Sequence, residues 1–165
     1  MIGENSIVVD KNIWLDFYLR ERPQHEDAVR FIRTAERFEA NLGTPADAVN
    51  GVFYIVGKCL KQKIRENGGV VDESTARSIN DFAWQCVEHM TDLAVSIPMD
   101  DRTAWLTRHY REITSDYEDG SVLAACELCK ARYLVTHDNK LAAQANIATK
   151  TAVEMADLIA HAHCG

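Results

Sequence analysis

A three-layer α/β/α sandwich around a mainly parallel sheet of roughly five strands is the fold this sequence predicts, and three observations predict it. Ile7-Val8-Val9 is a continuous β-branched apolar run, as expected of a strand covered on both faces. Longer stretches follow whose apolar residues recur at helical spacing, and further short strand candidates separate them. Gly and Pro number only 8 and 3 in 165 residues, too few for long irregular loops. Short buried strands alternating with helices imply parallel strands joined by crossovers.

The elements follow in order. Asp10 ends the first strand, and residues 12–19 read as a short helix broken by Arg22-Pro23. From residue 24 to about 41, Ala28, Phe31, Ile32, Ala35 and Phe38 share one helical face. Thr44-Pro45 marks a second extended segment and the start of a helix carrying Val49, Val52, Phe53, Val56 and Leu60 on one side. Asn67-Gly68-Gly69 closes it, glycine providing the left-handed exit. Residues 72–90 form another amphipathic helix, and Ala94–Ile97 a third strand stopped by Pro98. Helices over about 101–111 and 117–130 lead to a fourth strand at 133–136. A short helix after Asp138, a weak strand at 148–151 and a terminal helix over about 154–162 complete the pattern. No repeat, low-complexity tract or linker interrupts it, so one domain over residues 1–165 is expected.

Composition narrows the function classes. An apolar fraction of 47% with 26% charged residues is that of a globular chain, not a disordered one. No apolar run approaches the roughly 18 residues of a membrane span, and the first ten residues lack a basic leader, so a cytoplasmic protein is expected. Eighteen Lys and Arg against 25 Asp and Glu give −7, which argues against a protein that coats polyanions nonspecifically. An enzyme acting on nucleic acid stays open, because bound divalent cations reverse a local field. The five cysteines (Cys59, Cys86, Cys126, Cys129 and Cys164) are an odd set and no disulfide framework. Cys126 and Cys129 lie in a helical stretch without a second pair or histidine at zinc spacing and read as reduced packing thiols.

Ligand sites in open parallel sheets gather beyond the carboxyl ends of the strands. Asp10 follows the first strand there, Asp138 follows the fourth, and Asp119 lies in the first turn of the helix that leads to the fourth. Asp119 is three residues before Val122 and seven before Cys126, which turns it toward the core, where a carboxylate is costly unless paired or metal-bound. Helix capping accounts well for Asp116 and Glu118, and for Asp10 or Asp138 taken singly. Three acids converging on one sheet edge fit a hard divalent cation such as Mg²⁺ or Mn²⁺ better.

The residues resemble a known family at this point. The run from Ile7 to Asp16, with its strand and D-x-N at Asp10 to Asn12, resembles the opening of PIN-domain ribonucleases. Ser115-Asp116-Tyr117-Glu118-Asp119, and later Tyr133-Leu134-Val135-Thr136-His137-Asp138, resemble their acidic helix start, apolar strand and T-x-D. Arg20-Glu21-Arg22-Pro23 is similar to the subgroup of bacterial VapC-like toxins. The resemblance implies that Asp10, Asp119 and Asp138 are catalytic, metal-binding acids, with Mg²⁺ or Mn²⁺ as cofactor. Asn50 stands where most members carry a metal-site glutamate, which leaves the site one negative charge short. Asn12, Lys11 and Asp116 fall on the substrate side. Lys11 replaces a small hydroxyl residue and has two roles open to it, pairing with a neighbouring carboxylate or with substrate phosphate. The implied activity is metal-assisted hydrolysis of RNA phosphodiesters. The implied partners are an RNA substrate, a small antitoxin protein and a second copy in a homodimer. The alternative is a PIN-like module of weakened catalysis that acts by binding RNA or protein.

Other residues carry secondary expectations. Lys58, Lys61 and Arg65 share a face of the third helix, either as ordinary cations near a helix C-terminus or as a phosphate track; helix-end cations are the commoner case. Arg20 and Arg22 raise the same choice. Trp14, Trp84 and Trp105 read as core or interface packing, with Trp14 and Phe17 at a possible subunit contact. His137 reads as exposed and polar. His161, His163 and Cys164 read as an exposed chain end.

Overall fold

The computed structural model describes residues 6–163. β1 (Ile7–Val9) leads into α1 (Lys11–Tyr18) and α2 (His25–Arg37); β2 (Leu42–Pro45) leads into α3 (Ala46–Glu66) and α4 (Glu73–Leu93). β3 (Ala94–Ile97), α5 (Asp101–His109), a 3₁₀ turn at Tyr110–Glu112 and α6 (Tyr117–Leu128) follow. β4 (Tyr133–Val135), α7 (Asn139–Gln144), β5 (Thr149–Lys150) and α8 (Ala152–His163) come last. The strands form one parallel sheet in the order β3-β2-β1-β4-β5, as the continuous apolar runs predict.

The three layers follow from the period of two along each strand. Ile7 and Val9 of β1 and Val135 of β4 face one side, where α1, α2, α3, α4 and α8 supply Trp14, Phe31, Ile32, Val52, Met90 and Met155. Val8 and Leu134 face the other side, against Val122, Leu123 and Cys126 of α6 and Leu141 of α7. Each large side chain fully buried this way contributes about 1.5–3 kcal/mol. The Asp72 carboxylate caps α4 by accepting from the Thr75 N–H, which sets where that helix starts.

Helix ends differ from the periodicity by a few residues. α4 runs into β3 without a loop, because Met90 is still on its buried face. The helix from Asp101 tightens into the 3₁₀ turn so that Tyr110 can donate its hydroxyl to Glu127, at 2.7 Å. Trp14 is fully buried and so does not line a subunit contact, whereas Trp84 and Trp105 are exposed and lie outside the core. Cys86 and Cys126 are buried packing thiols, Cys59 and Cys129 half-buried ones, and Cys164 lies outside the described residues. His163 stacks on Phe38, its ring centroid 4.7 Å away.

Candidate active site

From β1 the chain steps outward to β2 and β3, then returns to lay β4 on the other side of β1. That reversal makes the region beyond the carboxyl ends of β1 and β4 a switch point in the strand order, the usual position of a ligand in such sheets. Asp10 enters it from β1; Thr136, His137 and Asp138 enter it from β4. The Asp10 N–H donates to the Val135 carbonyl at 3.0 Å, which fixes the two strand ends together.

The Thr136 hydroxyl is the hub. It donates to Asp10 Oδ2 at 2.7 Å and accepts from the Asn12 amide at 3.2 Å and from the Asp138 N–H at 3.0 Å. One oxygen atom therefore joins the residues after both strands, far apart in sequence though they are. Asn12 uses the other end of its amide to accept from the His137 N–H at 3.3 Å. Expected on the substrate side, Asn12 instead has both ends of its side chain engaged inside the protein as a brace. Asp138 Oδ1 caps α7, accepting from the N–H groups of Lys140 and Leu141. Its second oxygen has no such duty.

Asp119 approaches from α6. Asp116, also expected on the substrate side, is the N-cap of that helix, accepting from the Glu118 and Asp119 N–H groups. Thr114 Oγ1 donates to Asp119 Oδ2 at 3.3 Å. Partial burial raises the proton affinity of Asp119, and the negative charges of Asp116 and Asp138 raise it further. Asp10 is 6% exposed, and burial pushes its carboxyl up to about 6, a rise that the Thr136 hydrogen bond opposes and the Glu118 charge reinforces. Asp119 therefore feels Asp116 and Asp138, while the acid that acts on Asp10 is Glu118.

Two cations oppose this, Lys140 toward Asp119 and Lys11 toward Asp10, and Lys11 is the one with a fixed partner. Its ammonium pairs with Glu118 of α6, the carboxylate partner being the one of its two open roles that the structure holds. The lysine stem passes over Gly51 of α3 so closely that a Cβ there would stand 2.6 Å from Lys11 Cδ. Asn50, beside it, is exposed at the same end of α3.

Two further carboxylates escaped the sequence reading. Asp16 of α1 is 1% exposed and is clasped by Arg22 and by His137 Nδ1 at 2.7 Å. Burial alone would raise its pKa, but the hydrogen bonds from His137 and Arg22 outweigh burial and hold it below the usual carboxylate value. His137 is thus nearly buried, not exposed, and Arg22 serves Asp16. The signal was available: Asp16 lies three residues after Ile13, on the apolar face of α1. Asp47, at the start of α3, accepts from Ser121 Oγ at 3.1 Å.

Comparison with known families gives one match, the model of the PIN domain, over residues 7–147. The chain belongs to the PIN domain family. No curated protein sequence matches it. Among solved structures it is similar to FitAcB from Neisseria gonorrhoeae, with a TM-score of 0.60 and 15% identity over 88% of this chain and 97% of that one. It is also similar to FitAB bound to an IR36 DNA fragment, with a TM-score of 0.60 and 13% identity over 89% of this chain and 95% of that one. PAE2754 from Pyrobaculum aerophilum matches with a TM-score of 0.56 and 19% identity, over 100% of this chain and 98% of that one.

The donor chemistry of this PIN domain fits a hard divalent cation. Asp10, Asp119 and Asp138 are oxygen donors, and the repulsion between Asp119 and Asp138 is what a cation would relieve. The side chains stand apart nonetheless: among the described residues no three His, Cys, Asp or Glu side chains are drawn close enough to hold a metal ion. Asp138 Oδ1 is engaged in its helix cap and Asp10 Oδ2 with Thr136.

Proposed function

We propose that this PIN domain is a divalent-cation-dependent endoribonuclease, acting in the cytoplasm as a homodimer and as the toxin of a VapBC-type pair whose small antitoxin restrains it. The observation that carries the nuclease reading is the Thr136 hub, which brings Asp10 and Asp138 within reach of one hydroxyl at the switch point between β1 and β4. The toxin, antitoxin and homodimer parts rest on the resemblance of the VapC-like motifs. Asp10, Asp119 and Asp138 would hold Mg²⁺ or Mn²⁺, with Asn50 offering a neutral oxygen. When bound, the cation supplies Lewis-acid polarisation of the phosphodiester and a more acidic water. The protein's own groups do the rest. Thr136 fixes the direction of Asp10, Asn12 holds the β4 turn in place, and the acids exclude a second anion until a cation balances them. Lys11, at the rim, neutralises Glu118 and leaves its stem against α3.

Incubation of the purified protein with structured RNA and Mg²⁺ or Mn²⁺, beside Asp119→Asn, tests this reading. Cleavage by the wild type alone supports it. Equal cleavage by both proteins marks a contaminant and removes the reading. The Lys11–Glu118 pair favours one second reading, a binding module with weakened catalysis, which cation-independent RNA binding without cleavage by either protein would support.

Lys11 also yields a prediction of sign. Its ammonium repels an incoming cation, so Lys11→Met is expected to tighten Mn²⁺ binding by roughly tenfold, measured by titration calorimetry. Weaker binding in that variant would mean that Lys11 organises the acids instead of opposing their ligand.

A further inference from the structure

One face of α3 leads away from the candidate site. Asn50, Tyr54, Lys58, Lys61 and Arg65 recur every three or four residues and so lie in one row. At about 1.5 Å per residue the row is roughly 22 Å long. Its first member stands beside Gly51, over which Lys11 passes. The others line a cavity of about 420 Å³ between α3 and α4, with Phe53 and Ile79 among its apolar walls.

The charge of this row runs against the rest of the protein. The chain carries −7, and several of its cations are matched: Arg22 with Asp16, Arg30 with Asp157, Lys63 with Glu21 and Arg77 with Glu73. Among the described residues Lys58, Lys61 and Arg65 have no carboxylate at ion-pair distance, and none lines the cavity. The dipole of α3 explains a cation in its last turn, where Arg65 lies. It does not explain Lys58, about two turns upstream, because the dipole's effect fades within the final turn. Aromatic groups share the surface. The Tyr54 ring is 65% exposed and held edge-on to Phe53 at 5.2 Å, and Phe53 is in turn edge-on to the half-exposed Trp84. An exposed, braced ring next to spaced cations is what a single strand needs, a face for a base and charges for its phosphates. A duplex offers shape and backbone but no free base face.

We propose that this row binds the single-stranded flank of an RNA, Tyr54 stacking on a base and Lys58, Lys61 and Arg65 meeting successive phosphates. The placement of the scissile phosphate at the carboxylates rests on the nuclease reading above. The test is fluorescence anisotropy of a labelled oligouridylate in EDTA over a salt series, with the full chain and a Lys58→Gln/Lys61→Gln/Arg65→Gln variant. The variant is expected to lose at least roughly tenfold in affinity, and its salt slope to become shallower by about 2, since each single-strand phosphate contact contributes about 0.7. Tyr54→Ala should lose roughly tenfold with its slope unchanged. Unaltered melting of all variants by circular dichroism confirms that the fold persists. Binding in EDTA needs no cleavage, so the two ideas fail separately: a wild type that binds through the row but never cuts RNA keeps the track and loses the nuclease. Unchanged affinity and slope in the triple variant, or no binding by the wild type, overturns the track. So does sedimentation in which these substitutions dissociate a dimer without altering RNA affinity, which assigns the face to a protein partner.

Discussion

At neutral pH and without divalent cations, Asp10→Asn is expected to melt above the wild type by about 6–12 °C, while cleaving RNA at least about a hundredfold more slowly. The stability gain comes from burial. Folding raises the carboxyl of Asp10 from 3.8 to about 6. Below about pH 3 the group is protonated in the folded and unfolded chains alike and carries no penalty. As pH rises through about 6 the folded protein must ionise it out of water, and the loss reaches about 3 kcal/mol. The amide has no such titration and still accepts from Thr136, so the difference in melting temperature should widen from about pH 3 to 7 and vanish at the acid end. Mn²⁺ should raise the melting temperature of the wild type only. A variant that melts lower at neutral pH and has no acid-dependent recovery would mean that the carboxylate is a structural group well satisfied as an anion. Gain of stability with loss of activity marks a residue kept for chemistry.

Thr136→Val is expected to have the opposite effect on stability and the same effect on activity. Valine keeps the volume and the β-branch, so β4 and the packing beneath it are unchanged. The hydroxyl, however, serves three partners, and its loss leaves the Asp10 carboxylate, the Asn12 amide and the Asp138 N–H each one bond short. A buried polar group left unsatisfied costs about 1–3 kcal/mol, and these three are coupled, so about 3 kcal/mol for the set is a reasonable scale. For a chain of this length that lowers the melting point by about 6–12 °C. Thr136→Ser, which keeps the oxygen, should restore most of the activity and much of the stability. If valine were as active as threonine, the orientation of Asp10 would not depend on the hydroxyl, and the site would have to be organised from α6 alone.

The sequence was most readable where burial on both faces leaves a continuous apolar run. Ile7-Val8-Val9 and Leu134-Val135 could hardly be anything but central strands, and from them the positions of Asp10 and Asp138 beyond the strand ends follow. The core-facing tilt of Asp119 was legible from its distance to Val122, and the electrostatic influence of Asp138 on it agrees. Thr136 was visible only as a letter of the T-x-D motif. Its role depends on Asn12 lying across the sheet edge, a relation that periodicity along one element does not encode. Asp16 was passed over and His137 read as exposed for a related reason, each looking isolated until the fold sets one against the other. Trp84 and Trp105 sit at helical positions like those of core residues, but on α4 and α5 those faces are not covered by the described chain.

The central place of β1 has a consequence for synthesis. Its neighbour β4 lies 126 residues downstream, as measured between the two residues joined by the Thr136 hydroxyl. A nascent chain leaving the ribosome can pair β1 with β2 early, but the site has no second wall until the segment through Asp138 has emerged. Domains assemble as their parts become available, and long-range strand pairing is the slow part of that process. Whatever reaction this site performs, translation withholds it until β4 and the residues just after it have been made.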